Sequence, residues 1–100
     1  SYIDNPIDPQ KNVIYPITFA INTQGYLYMG SKDGSLYRWD PAPINGWRWL
    51  NRPNGFAPLT SVIYNPDNDR YYIGSQDSSN NALVYECDFS SLNNSSLNVL

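Results

Sequence analysis

Residues 25–40 read Gly-Tyr-Leu-Tyr-Met-Gly-Ser-Lys-Asp-Gly-Ser-Leu-Tyr-Arg-Trp-Asp. Tyr26 to Gly30 alternates its side chains with period two, as a half-buried strand does. Ser31-Lys32-Asp33-Gly34 follows as a tight turn, where Asp and Gly tolerate the positive φ that hairpins need. Ser35 to Trp39 then returns antiparallel. Working outward, Thr18-Phe19-Ala20-Ile21 is a short apolar strand closed by the polar turn Asn22–Gly25. Asp40-Pro41 and Pro43 interrupt the ladder downstream, since proline has no donor to give it. Trp47-Arg48-Trp49-Leu50 supplies a fourth, outer strand. Four short antiparallel strands in sequence order make a meander.

The same pattern recurs. Asp69 to Asp88 reads Asp-Arg-Tyr-Tyr-Ile-Gly-Ser-Gln-Asp-Ser-Ser-Asn-Asn-Ala-Leu-Val-Tyr-Glu-Cys-Asp. Gly30 aligned on Gly74 brings Tyr28 onto Tyr72, Ser31 onto Ser75 and Asp33 onto Asp77. A longer second turn then brings Tyr37 onto Tyr85 and Asp40 onto Asp88. Upstream, Phe19 and Ile63 are expected at equivalent places. The second unit is expected to place its strands at Ser61–Asn65, Arg70–Gly74, Ala82–Cys87 and near Leu97–Leu100. Self-similarity at such a period marks a repeat architecture.

Composition agrees with sheet. Nine Tyr, three Trp and three Phe carry much of a 41% apolar content, and aromatic and β-branched residues suit a pleated surface. The net charge is −3 with six basic residues. Lys11, Lys32, Arg38, Arg48, Arg52 and Arg70 stand singly, so no basic footprint for nucleic acid is present. No apolar run approaches the ~18 residues of a membrane span. Only 15% of residues are charged, and the polar remainder is Asn, Ser, Thr, Gln and Tyr. That surface leads to an expectation of an extracellular, virion or cell-surface location. No signal peptide is legible and the first residue is Ser1 rather than Met, so the chain reads as processed or as cut from something longer.

The run from Gly25 to Asp40, with Gly46-Trp47 shortly after, resembles the repeat of quinoprotein-type (PQQ-like) β-propellers, and WD-like blades share its four-stranded plan. The resemblance implies fold and not activity. The second copy departs from it at Ser78, in place of the turn glycine, and at Cys87, where Trp39 stands. The first copy looks a little like the Asp-box of sialidases but departs from it, because Gly34 follows Asp33 directly. The expected fold class is therefore all-β, in antiparallel four-stranded meanders forming about two propeller-like blades; a β-sandwich of the same strands is the alternative. Residues 1–16 read as the end of a preceding blade, with Tyr2-Ile3-Asp4 resembling Arg38-Trp39-Asp40. Residues 17–58 read as the first repeat and 59–100 as the second. Propellers close with roughly four to eight blades, so two blades imply either further blades of a longer chain or copies of itself as partners.

The chain has no histidine, which removes Ser-His-Asp and Cys-His nucleophile systems and the commonest zinc ligand. Cys87 is the sole cysteine, without a base to activate it, and reads as core or inter-blade packing. The glycines are isolated in turns rather than gathered in a phosphate-binding loop. Asp67 and Asp69 are the weak candidates for a metal, outweighed by their reading as turn residues after Pro66. Asp33 and Asp77 read as turn stabilisers. No cofactor is expected, and the chain is expected not to be an enzyme.

Trp47 and Trp49 alternate with Arg48, so both indoles face one side. Exposed, they would form a stacking platform, with Asn51 and Arg52 at its rim, for a glycan or a partner protein; buried, they are core. Asn93 and Asn94 head overlapping glycosylation acceptors, meaningful only in a eukaryotic secreted protein. The functional expectation is a non-enzymatic structural or interaction module that mediates assembly of a larger particle or surface structure. A carbohydrate-binding, lectin-like propeller domain is the alternative.

Overall fold

The computed structural model describes residues 2–3, 14–92 and 97–100. The chain is all-β, with two antiparallel sheets. The first is the meander β2 (Pro16–Ile21), β3 (Leu27–Ser31), β4 (Leu36–Asp40) and β5 (Gly46–Asn51), to which the two-residue β1 (Tyr2–Ile3) adds at the β5 edge. Tyr2 stands opposite Arg48 and Ile3 opposite Trp47. The second sheet is the meander β6 (Ser61–Asn65), β7 (Arg70–Gln76), β8 (Ala82–Cys87) and β9 (Asn98–Val99). A single 3₁₀ turn, Phe89–Ser91, follows β8 with Asp88 as its cap. The chain thus leaves β8 through a capped turn. Asp4–Val13 of the expected preceding blade, and Asn93 and Asn94, lie outside the described residues.

The hairpin turns follow from their side chains. Asp33 Oδ1 accepts from the Ser35 amide at 3.1 Å, and the Ser31 hydroxyl also donates to Asp33. Gly34 sits at φ +87°, where a Cβ would run into the Gly55 carbonyl. In the longer second turn Asp77 Oδ1 accepts from both Ser79 and Asn81 amides at 2.9 Å. Equivalent carboxylates therefore close equivalent hairpins of different length.

Register defines which residues of the two sheets correspond. Met29 pairs with Tyr37 and Ile73 with Tyr85, which holds the alignment across both hairpins. On the inner strands the expected match of Phe19 with Ile63 is off by one. Phe19 pairs with Met29 whereas Val62 pairs with Ile73, so Phe19 corresponds to Val62 and Ala20 to Ile63. The cause is local. The connection Asn65–Arg70 between Tyr64 and Tyr71 is one residue longer than Asn22–Tyr26 between Ile21 and Leu27. A one-residue slip moves every side chain to the other face.

The two sheets pack face to face, inner strand β2 against inner strand β6. The core lies between them. Tyr28, Leu36 and Leu50 of the first sheet meet Leu59, Val62, Tyr71, Ile73, Tyr85, Cys87 and Leu92 of the second. Tyr28, Leu36, Leu59, Tyr71 and Ile73 are fully buried. Gly30 permits the approach: a Cβ there would lie 2.8 Å from Thr18 Cγ2, 3.0 Å from Leu59 Cβ and 3.1 Å from Val62 Cγ2. Val62 N donates to Thr18 Oγ1 at 3.3 Å across the same seam. At ~25 cal/mol per Å² of apolar surface removed from water, this shared face holds the sheets together more than any polar contact does.

Candidate functional site

The seam also carries a polar network. Asn22 Nδ2 donates to the Tyr71 hydroxyl at 2.8 Å, and the Tyr71 and Tyr28 hydroxyls lie 3.4 Å apart. Asn22 Oδ1 meanwhile accepts from the Gln24 and Tyr26 amides. Burial first, then the bond to Tyr71, pushes the Tyr28 phenol well above its ordinary value. This hydroxyl stays protonated and does not act as a base.

At the rim of the seam, Arg38 is held between rings. Its guanidinium lies 4.8 Å from the Tyr26 centroid and 5.8 Å from that of Phe89. Nε donates to Asp40 Oδ1 at 2.7 Å and an Nη to Oδ2 at 3.3 Å. Arg38 and Asp40 are two apart on β4, so both side chains reach the same face. Burial pulls the guanidinium pKa down, but the hydrogen bond and charge of Asp40 outweigh it and hold the group above its ordinary value. The pair opens onto a cleft of about 320 Å³ walled by Tyr26, Pro41, Ala42, Pro43 and Ile44. A second cavity of about 140 Å³ lies between Arg38, Arg48, Leu50, Phe89, Ser90 and Leu92. An apolar wall beside a neutralised, fixed ion pair suits a largely uncharged ligand with a hydrogen-bonding edge. Sequence reasoning used Arg38 and Asp40 only as the end of a strand. Their spacing was legible, but the contact with Phe89, from the 3₁₀ turn after β8, was not.

The residues expected to form a binding platform do not come together as one surface. Trp47 and Trp49 are half-buried and pack on Ile14, Met29 and Tyr37, on the face of the first sheet that points away from the second. The Trp47 ring lies 5.5 Å from Trp39 and 6.5 Å from Phe19. Trp49 Nε1 donates to Ser35 Oγ at 3.2 Å. Arg48 lies opposite Arg38 on the other face of the sheet. Asn51 is buried, its Oδ1 accepting from the Arg52 amide at 2.8 Å. Arg52 reaches Asp33 Oδ2 at 3.3 Å and Ser35 Oγ at 3.2 Å, and lies 4.3 Å above the Phe56 ring. Trp49, Ser35, Arg52 and Asp33 therefore form one linked cluster behind the first hairpin, while Trp47 belongs to an aromatic stack and Arg48 to the second cavity.

Asp67 and Asp69 sit on the turn between β6 and β7. Asp69 accepts from the Tyr64 hydroxyl at 2.5 Å, and the Asp67 amide donates to Asn65 Oδ1. Among the described residues no three His, Cys, Asp or Glu side chains gather as a metal site. Cys87 lies in the inter-sheet core, and burial pushes its thiol up to about 12.

A family model described as "Strictosidine synthase-like, N-terminal" matches residues 14–39. The matched stretch runs from Ile14, which packs on the first sheet, through β2 and β3 into β4. This is a β-propeller family, which agrees with the two face-packed meanders. The match overturns the expectation that the chain is not an enzyme, because the members of that family are enzymes. The absence of histidine excludes particular catalytic systems, and it does not exclude a part in an enzyme whose reacting groups are of other types. No curated protein and no solved structure matches the chain.

Proposed function

We propose that the chain supplies two consecutive blades of a β-propeller enzyme of the strictosidine synthase-like kind. The observation that carries this reading is the correspondence of faces. Blade 1 (β2–β5) receives blade 2 (β6–β9) on Thr18, Ala20, Tyr28, Gly30 and Leu36. Blade 2 repeats those positions as Ser61, Ile63, Tyr72, Gly74 and Val84, turned the other way, where a third blade would pack. The family match over β2, β3 and most of β4 supports the enzymatic side of the reading and is preferred to a quinoprotein or WD kinship, which rests on the repeat motif alone. In this reading the blades frame a site, with the Arg38–Asp40 cleft as their contribution to ligand binding. The glycan-platform reading has less behind it, because Trp47 stacks on Trp39 and Phe19 and Trp49 is tied to Ser35.

The test is closure. Three copies joined in tandem carry six blades, within the range that propellers use. The expected product is a compact monomer that melts well above the single chain and resists proteolysis between copies. Independent melting of each copy at the single-chain temperature would sink the reading. Strictosidine formation by the closed product would mean that the blades hold reacting groups themselves; an inert closed ring would mean that they only frame the site.

A further inference from the structure

Blade 1 has an open apolar stripe on the face away from blade 2. Phe19 and Ile21 alternate along the inner strand β2, with Ile17 at the irregularity before them; Ile17, Phe19 and Ile21 are 45%, 53% and 63% exposed. The outer part of that face is already covered, Ile14 packing on Met29 and Tyr37; the inner strand is not. Phe19 corresponds to Val62 and Ile21 to Tyr64, the two residues with which β6 lies against blade 1. Val62 in that position is only 3% exposed.

Blade 2 has the complementary open face. Ile63, at the place of Ala20, is 55% exposed. Tyr72 and Val84 are half-buried, whereas their counterparts Tyr28 and Leu36 are fully buried beneath blade 2. Gly74 repeats the glycine that admits Leu59 and Val62 at Gly30, yet its nearest neighbours all belong to its own blade: Ser61 and Thr60. Ser61 stands where Thr18 accepts the Val62 amide, so it offers a hydroxyl acceptor at the same point of the seam.

One chain thus carries both halves of an interface whose packed form it displays internally. We propose that a second copy of this chain docks head to tail, laying its Ile17-Phe19-Ile21 stripe on the Ser61, Ile63, Tyr72 and Gly74 face of the first. The occupant is fixed by continuity with the internal seam: the stripe presents apolar residues at the positions of Val62 and Tyr64, and neither patch carries a charge at its centre. Glu86, at the rim position of Arg38, is the nearest charge on the receiving face. Such a contact is heterologous, so it propagates to a ring or an open stack rather than stopping at a dimer. The inference rests on the blade reading above.

The experiment is light scattering after size exclusion, over a range of concentrations, on the chain and on Phe19→Lys and Ile63→Lys, with far-UV circular dichroism to verify folding. The 11.4 kDa chain is expected to run at two or more times its own mass, rising with concentration, and each variant as a monomer. An equimolar mixture of the two variants is expected to give a species of two chains and no larger, because one variant keeps its receiving face and the other its stripe. Ile21→Lys replaces Phe19→Lys if the latter does not fold. A wild-type chain monomeric at every concentration, an oligomer indifferent to both substitutions, or a mixture that stays monomeric would each overturn the proposal. A monomeric chain whose tandem form still closes would overturn copy-to-copy docking and leave the blade reading standing.

Discussion

The back of blade 1 and the back of blade 2 are built from corresponding residues and live in different surroundings. Tyr28, Gly30 and Leu36 lie under the second sheet; among the described residues no sheet lies above Tyr72, Gly74 and Val84. The comparison separates what a residue does for its own sheet from what it does for the neighbour. Tyr28 and Tyr72 both cross-pair within their meanders, with Arg38 and Glu86 respectively. Only Tyr28 has the edge-on ring of Tyr71 at 5.1 Å and its hydroxyl in the buried network. The Tyr72 hydroxyl accepts instead from the exposed Asn68 side chain. A glycine in a strand weakens it by roughly 0.5–1 kcal/mol, a cost offset at Gly30 by inter-sheet packing that the described residues do not supply at Gly74.

The largest expected difference is between Tyr28→Ala and Tyr72→Ala. Emptying the first site leaves a cavity in the seam, at a cost of about 3–5 kcal/mol by analogy with other buried aromatic truncations. The second removes a half-exposed ring and is expected to cost ~1 kcal/mol. Urea unfolding measures both. Cys87 adds an independent readout: its thiol, raised to about 12 by burial in the seam, is expected to label slowly at pH 8 in the native chain and much faster in Tyr28→Ala. Equal destabilisation by the two substitutions would mean that the blades do not pack as described.

Glycine gives the next contrast. Gly30→Ala forces a Cβ between Thr18, Leu59 and Val62, and overpacking of this kind typically costs ~1–3 kcal/mol. Gly74→Ala meets the Ser61 hydroxyl, which rotates away, and removing a strand glycine then recovers part of the loss. It is expected to fall within ~1 kcal/mol of the parent in thermal unfolding. A Gly74→Ala variant as damaged as Gly30→Ala would show that the glycine serves its own strand rather than a neighbour.

These contrasts also mark how far the sequence could be read. The meanders were legible because alternation, turn Asp and Gly, and proline breaks act over a few residues. Both hairpins came out aligned because Tyr37 and Tyr85 kept phase through a turn of different length. Phe19 and Ile63 were mismatched because the β6–β7 connection carries one more residue, and a period-two pattern cannot report an insertion in a polar turn. The pairing of β1 with β5 joins ends of a sheet far apart in sequence. The second cavity, beside Arg38, needs Phe89 from the turn after β8, so no local pattern announces it. Asp40 and Asp88 sit at matching strand ends yet act differently, one pairing with Arg38 and the other capping a 3₁₀ turn. Repetition in sequence guaranteed a repeated position and left the contact to the neighbours.

The smallest effect sharpens the comparison of the two hairpins. Burial pushes the Asp33 carboxyl up, but the Ser31 and Ser35 hydrogen bonds and the Arg52 charge outweigh it and hold the pKa below the ordinary value. Asp77 is held low by the Asn81 and Ser79 amides, without a cation. A carboxylate with a depressed folded pKa contributes stability that is present above its unfolded value of ~3.9 and is lost as pH falls through the folded value. Both hairpins are therefore expected to hold from neutral pH down to about 4 and to loosen below it. Salt tells them apart. The Arg52–Asp33 pair is partly exposed at 3.3 Å, so it is worth ~0–1 kcal/mol and is screened at high ionic strength. Carboxyl titrations followed by NMR are expected to show the Asp33 midpoint moving up in ~1 M salt while Asp77 stays in place, and Arg52→Ala is expected to abolish that difference. Equal salt response in both aspartates would assign the Asp33 shift to its hydroxyl and amide donors alone, and reduce Arg52 to its stacking on Phe56.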